Sequence, residues 1–448
     1  MPAGSMNRRE FLHSSALGLA TGAAVSLIGT RALGANDKIV AGFMGCGGRG
    51  RQLMGYVAER KDAEVAYVAD PDANRLPGAA SAIEKATGKK PNAIGDFRKI
   101  LDDKAVNVLF NATPDHWHVL PVILACQAGK DAYVEKPLSH NVWEGRQAVK
   151  AARKYNRVVQ VGTQNRSAPY CFAAIDYLRS GKLGRVHLVR VLNMKTRGRI
   201  DRKPDGEPPK GVDYDAWLGP APKRPFNPNH FHGGWNWFWD FSGGDIINDG
   251  VHQIDLARWL VGKTYPISVS STGGKYAYDD DQETPDTQSV HWEFEDLTMT
   301  FNLTLWTPYM KKTDFEFRDT DEYPNWTFNA TKIEVFGTKG LMMFGRHADG
   351  WQVYGMDWNV AAQANGPQSL TEHTGNFLDC MKTRRRPNAD IEEGHLSTFL
   401  CQMANISYRM GGRKLVLDVE NESFKDDHDA NELLKRSGRK PYRVPEDV

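Results

Sequence analysis

Between residues 38 and 162, short continuous apolar runs alternate with stretches whose apolar positions recur every three to four residues. The runs at 39–44, 65–69, 106–112, 132–134 and 158–161 predict strands. The stretches at 51–60, 73–87, 97–102, 118–128 and 142–155 predict helices. A strand that is apolar throughout must be covered on both faces. The alternation therefore predicts a parallel sheet with helices on either side. A different pattern follows a helix predicted over 169–180. Residues 289–294 (Ser-Val-His-Trp-Glu-Phe) alternate strictly and 297–305 less so, with further runs at 332–336, 341–344 and 351–354. Period-two alternation buries one face and wets the other, as in an open, mostly antiparallel sheet. Helices at 374–383 and 394–410 are expected to cover its other face. A Pro-rich stretch, 203–228, interrupts this half and reads as a long excursion near a site.

The first 34 residues stand apart. Arg8 and Arg9 precede a short stretch, 14–28, rich in Ala, Gly and Ser, and small residues follow at Ala32, Gly34 and Ala35. This order resembles a twin-arginine export signal, and the expected location is the periplasm. No later segment reaches about 18 consecutive apolar residues, so no membrane span is expected in the mature chain. The segment also holds the whole charge imbalance. The chain has 57 basic and 55 acidic residues, and beyond residue 34 there are 54 of each. A neutral body argues against nucleic acid as a partner. Five widely spaced cysteines without a C-x-x-C argue against a disulfide framework and a zinc site.

Gly45-Cys46-Gly47-Gly48-Arg49-Gly50 fits G-x-G-x-x-G and joins the first strand to the first helix. Gly45 permits a tight turn, Gly47 lets the backbone approach a pyrophosphate, and Gly50 lets helix and strand pack closely. The helix N-terminus offers unpaired N–H groups to phosphates. Asp70 ends the second strand 20 residues later, placed to accept a ribose 2′-OH and to repel a 2′-phosphate. That favours NAD, with nearby Arg75 keeping NADP as the alternative. Glu135-Lys136-Pro137 ends the fifth strand, at the sheet edge where ligands bind. A lysine in a cleft there can hold or move a proton. His116 and His118 follow the fourth strand, and His230 and His232 form a second pair, but neither pair has a clear third ligand, so no metal site is expected. His252 lies near the start of an apolar helix, with Asn248 and Asp249 four and three residues before it. Either spacing places a polar partner beside the imidazole if the helix begins that early. The aromatic stretch 235–241 contains Trp237, Trp239 and Asp240, which with Arg166 are the expected sugar contacts.

Together these motifs resemble the glucose–fructose oxidoreductase / inositol dehydrogenase / MocA-like family, from about residue 38 to the C-terminus. The markers are Gly45–Gly50, Thr113-Pro114-Asp115-His116, Glu135-Lys136-Pro137 and Gly250-Val251-His252-Gln253-Ile254-Asp255. The resemblance implies a Rossmann domain over 38–162. It also implies an α/β domain with an open, mostly antiparallel sheet over 163–448, used for substrate binding and homo-oligomerisation. It implies that Gly45, Gly47, Gly48, Arg49, Asp70, Thr113, Pro114, His118 and Glu135 contact a dinucleotide. Lys136 would bind the reacting hydroxyl, and His252 would be the acid/base. Many relatives have Asp where this chain has Asn248, which leaves Asn248 or Asp249 to partner His252.

The leading expectation is hydride transfer between a sugar or cyclitol CH–OH and a tightly bound nicotinamide, the proton leaving through Lys136 and His252. An exported enzyme must then close its cycle on a captive cofactor, by a second substrate returning the hydride. The runner-up is a redox-neutral glycosidase, lyase or epimerase working through transient oxidation. A third reading is a non-catalytic NAD- or sugar-binding protein.

Overall fold

The computed structural model describes residues 37–313, 318, 320 and 322–448; the expected export segment lies outside them. Strands β1 (Ile39–Met44), β2 (Ala63–Ala69), β3 (Asn92–Ile94), β4 (Val108–Asn111), β5 (Asp131–Val134) and β6 (Val159–Val161) form one sheet in the order β3-β2-β1-β4-β5-β6. Every pairing in it is parallel. β1, β4, β5 and β6 are buried almost end to end, as their unbroken apolar runs require. The strand order reverses between β1 and β4. The crevice beyond their carboxyl ends is therefore the binding edge of such a sheet.

The second sheet has ten strands in the order β14-β13-β12-β11-β7-β10-β9-β8-β15-β16. They are β7 (Val186–Met194), β8 (Ser268–Gly274), β9 (Thr287–Glu293), β10 (Thr298–Thr304), β11 (Lys332–Gly337), β12 (Gly340–Gly345), β13 (Trp351–Tyr354), β14 (Val360–Ala364), β15 (Leu415–Asp418) and β16 (Ser423–Phe424). The β7–β10 pair is parallel, and the other ladders described are antiparallel. β9 and β10 bury alternate residues, Val290, Trp292, Met299, Phe301 and Leu303 among them. The chain is thus an α/β protein with a Rossmann-type sheet followed by a mostly antiparallel one.

The two terminal helices do not both serve the second sheet. Helix Ile391–Arg409 packs on β8, and it also packs on helix Val142–Lys154 of the first half. Helix Leu370–Thr383 instead completes the first core. Phe377, Leu378 and Met381 are fully buried with Phe43 and Phe110, and the Phe377 ring lies 5.7 Å from Phe110 and 5.8 Å from Tyr133. The expectation that this helix covers the antiparallel sheet is therefore corrected. Its apolar stripe matches the uncovered face of the parallel sheet, where large aromatic side chains wait for a partner.

The Pro-rich excursion also returns to the first sheet. Val212 bridges to Asp72, Ala73 N–H donates to Gly211 O at 3.0 Å, and Asp213 N–H donates to Pro71 O at 2.9 Å. This seam lies directly after Asp70, at the edge where β2 ends.

Candidate active site

The glycine loop forms the floor of a cavity of about 690 Å³. Gly45 adopts φ +93°, a conformation that side-chain-bearing residues rarely take, and a Cβ there would lie 2.6 Å from Ala112 O. A Cβ on Gly50 would lie 1.9 Å from Gly45 O, so the loop and helix Gly48–Ala58 close on each other only with glycine. No side chain caps that helix at Gly47, so its first N–H groups face the cavity without an internal partner. Gly45, Gly47, Gly48, Arg49, Asp70, Thr113 and Pro114 all line the cavity. Asp70 is buried and accepts N–H bonds from Cys46 (2.8 Å) and Asp72 (2.9 Å); burial nevertheless raises its pKa above the ordinary carboxylate value. Arg75 leans across the loop, its Nη1 2.9 Å from where a Gly47 Cβ would sit.

These features fit a dinucleotide. The glycine cradle admits a pyrophosphate where any side chain would intrude, and Asp70 stands at the end of β2 for a ribose. Two further segments wall the same cavity. Asp213, Trp217, His232 and Trp235 come from the excursion and its continuation, and Pro441, Tyr442, Arg443 and Pro445 from the C-terminal tail. His232 Nε2 meets Asp72 at 2.7 Å, and the Tyr442 ring packs edge-on against Trp117 at 5.3 Å. The excursion was expected near a site from its Pro-rich sequence, whereas the tail was not, because it meets the loop only through the fold.

Three residues expected at the cofactor hold the site from behind and do not line this cavity. Gly50 makes the close backbone approach described above. Glu135 is buried and accepts from Arg49 Nε at 2.7 Å; burial pushes its pKa up, but Arg49 and Lys136 outweigh this and hold it below the usual range. His118 is buried with Nδ1 2.5 Å from Pro137 O and Nε2 2.9 Å from Thr113 O. It ties the loop after β4 to the loop after β5 and is not itself exposed to a ligand. His116 is likewise a packing residue, its ring against Trp217 and Phe241 and its pKa driven down to about 3 by burial. Among the described residues, no group of three or more His, Cys, Asp or Glu is arranged to hold a metal ion.

Beyond β5 the site changes character. Lys136 Nζ donates to Asn248 O at 2.6 Å and reaches Asn248 Oδ1 at 3.2 Å. Burial lowers its pKa, while Asp115 and Glu135 oppose the fall. Asp115, a residue that sequence reasoning named only as part of a motif, is fully enclosed, accepts from Ser242 Oγ at 2.5 Å and is pushed up to about 7 by burial. Its burial inside a loop motif gave no sequence signal.

His252 lies in helix Val251–Leu260, but the expected partnership fails. Neither Asn248 nor Asp249 is bonded to the imidazole. Asn248 serves Lys136 and donates to Asp245 Oδ1 at 3.3 Å. Asp249 is taken by Lys195, by Lys312 (3.2 Å) and by Arg346 (2.5 Å). The reason is local: residues Ile246–Gly250 form a π-turn, so the i,i+4 register of an α-helix does not extend back to them. His252 Nδ1 is buried without a hydrogen-bond partner. Its pKa is driven well below 6.5, by burial first and then by Arg346 and Lys136.

The expected sugar contacts separate. Arg166 is 2% exposed and locked in a buried ion pair, Nε 2.9 Å from both Asp255 oxygens, with Glu393 on its other arm. It holds helices together and is unavailable to a ligand. Asp240 pairs with Arg224 at 2.8 Å, and Trp239 stacks near Tyr408 and Arg409. Neither joins the Lys136 network. Trp237 does approach it, with the Arg197 guanidinium 5.1 Å from its ring.

Comparison with known proteins agrees with this architecture. The family model described as oxidoreductase family, NAD-binding Rossmann fold, matches residues 39–163. Its companion, oxidoreductase family, C-terminal alpha/beta domain, matches 194–298 and 355–444. Inositol 2-dehydrogenase 2 of Saccharopolyspora erythraea is 26% identical over 52% of this chain and 56% of its own length. Levoglucosan dehydrogenase of Pseudarthrobacter phenanthrenivorans is 28% identical over 38% of this chain and 37% of its own length. The chain thus spans about half or less of these curated relatives. A solved levoglucosan dehydrogenase, in complex with NADH and levoglucosan, superposes with a TM-score of 0.64 at 17% identity, over 85% of this chain and 99% of that one. At that identity the likeness is one of fold.

Proposed function

The chain belongs to the Gfo/Idh/MocA family of NAD-dependent oxidoreductases, and on that premise we propose that it moves a hydride between a secondary alcohol of a sugar or cyclitol and an NAD that it retains between turnovers. The observation that carries this reading is the Lys136–Asn248 contact near the buried His252, at the carboxyl edge of a sheet whose glycine loop fits a dinucleotide.

The bound nicotinamide supplies or accepts the hydride. Gly45, Gly47 and the open helix end at Gly48 seat the pyrophosphate, and Asp70 the ribose. Lys136 holds the reacting oxygen: its ammonium, anchored by Asn248 O, stabilises negative charge that develops there. His252 takes the hydroxyl proton. Its depressed pKa keeps the imidazole unprotonated at neutral pH, the form a general base requires. Asn248 positions Lys136 and does not polarise His252.

The two walls that the excursion and the tail build along the cavity support retention. With a captive cofactor, a second substrate, or the first one after another of its bonds has changed, would return the hydride within the site. We further propose that the Arg8-Arg9 segment sends the folded, loaded protein across the membrane.

The test is to purify the chain without added nucleotide, release and quantify what it carries, and then add aldoses and inositols while following absorbance of the reduced nicotinamide. Near-stoichiometric NAD and a sugar-dependent absorbance change that Lys136→Met abolishes are expected. NAD-loaded protein that responds to no sugar or cyclitol, by absorbance or by product, would overturn the reading.

A further inference from the structure

Beside the Lys136 network lies a second cavity, of about 400 Å³, lined by Lys195, Thr196, Arg197, Pro308, Met310 and Lys312. Among the described residues, its lining carries three cations and no acid. The nearest carboxylates stand behind it and are oversubscribed. Asp249 meets Lys195, Lys312 and Arg346. Asp245 meets Lys195 at 3.3 Å and Arg197 at 2.7 Å, and also accepts from Asn193 at 2.8 Å. Among the described residues, these four cations share Asp249 and Asp245, and Asp349, which accepts from Asn329 Nδ2 and the His347 N–H, also acts on Arg346.

Lys195 is buried in this cluster, and the partly exposed Arg197 and Lys312 leave donors open to an anion. Burial, together with Arg346 and Arg197, brings the Lys312 pKa down to about 8. Polar atoms also remain unused. Behind the lining, both ring nitrogens of His347, which is 6% exposed, and Nε of Arg346 are buried without a hydrogen-bond partner among the described residues. The cavity is joined to the reacting position by bonded groups: Lys136 to Asn248, Asn248 to Asp245, and Asp245 to Lys195 and Arg197.

We propose that this cavity seats the negatively charged substituent of an acidic sugar, so that the substrate of the site described above carries an oxyanion beside its reacting hydroxyl. The inference rests on that functional reading for the identity of the ligand as a sugar. Lys195 and Lys312 supply point charges, and Arg197, backed by the Trp237 face, supplies a fork that matches a carboxylate or phosphate.

The test is calorimetric titration of the NAD-loaded full chain with matched pairs. Glucuronate, galacturonate and glucose 6-phosphate are compared with the methyl glycosides of glucose and galactose, at low and at raised salt. At least one acidic sugar is expected to bind about tenfold more tightly than its neutral partner, with salt eroding the difference. Whether a uronate or the phosphate leads identifies the oxyanion. Lys312→Met and Arg197→Met, both at partly exposed side chains, are expected to cut the difference to about threefold or less. Equal binding within every pair, absence of binding included, overturns the proposal. So does a preference that survives both substitutions. Nicotinamide absorbance followed in the same titrations separates the two readings. Hydride transfer without acidic preference sinks the seat alone, and acidic preference without any transfer sinks the oxidoreductase reading alone.

Discussion

At Gly50 a single methyl group decides whether the cofactor loop exists. Its Cβ would lie 1.9 Å from a backbone oxygen, a contact that no rotamer change relieves. Gly50→Ala should therefore weaken NAD binding by at least about tenfold while lowering the melting temperature, both measurable on purified protein. The chemistry at Lys136 and His252 makes a separate prediction through pH. His252 has its pKa lowered by burial, so it stays neutral well below the ordinary value of about 6.5. For alcohol oxidation, the acid-side fall in kcat/KM should come at lower pH than an exposed histidine would give. Lys136 is also lowered by burial, so its ammonium is lost below the ordinary value of about 10.4 and the alkaline fall arrives early. His252→Ala should remove the acid limb and cost about 10²–10⁴ in kcat. Residues inside local motifs, from Gly45 to Asp70 and Lys136, were legible because strand, turn and helix follow one another in sequence. Arg166 was not: its carboxylate partners, Asp255 and Glu393, are brought to it only by the fold.

Among the elements, the continuous apolar strands β1, β4, β5 and β6 and the alternating β9 and β10 were readable from period alone. β3 and β8 were not. β3 is a three-residue strand with two exposed positions, and β8 reads Ser-Val-Ser-Ser-Thr-Gly-Gly, whose burial comes from neighbours and not from apolar side chains. The π-turn Ile246–Gly250 was equally silent, and it is what redirects Asn248 and Asp249 away from His252. The helices themselves are tied by charge. The buried Arg166, Asp255 and Arg258 and the partly exposed Glu393 form a cluster at the helices Val251–Leu260 and Ile391–Arg409, with Ser397 Oγ donating to Asp255 at 2.6 Å. Asp255→Asn leaves Arg166 short of its main counter-charge and should cost about 3–5 kcal/mol in denaturant unfolding. Glu422 adds a pH dependence. Burial raises its pKa, but Arg146 and His395 outweigh this and hold it far below the usual range. A depressed carboxylate stabilises the fold above its unfolded pKa, about 4.3, and that stability drains as pH falls toward the folded value. Glu422→Gln should flatten the acid side of the stability curve.

At the scale of the described chain, the cavity over the glycine loop is walled by segments from more than one domain. The parallel sheet supplies the glycine floor, the excursion folds back over the end of β2, and the C-terminal tail closes the side near Trp117. Excursion and tail are themselves joined. Arg439 donates to Asp215 Oδ1 at 2.7 Å and to Gly219 O at 3.1 Å, so loosening one wall loosens the other. Where such walls hold a ligand, changes in a wall act chiefly on its rate of leaving. His232→Ala removes the 2.7 Å contact to Asp72, and Tyr442→Ala removes the ring against Trp117. Each should speed NAD release on the order of tenfold, and the pair together should do so by less than the product, because the walls share the Arg439 link. The measurement is the fraction of NAD retained after rapid desalting, followed over time at constant pH. If both variants hold NAD as long as the parent chain, the walls are not what retains it, and the closed catalytic cycle loses its structural basis.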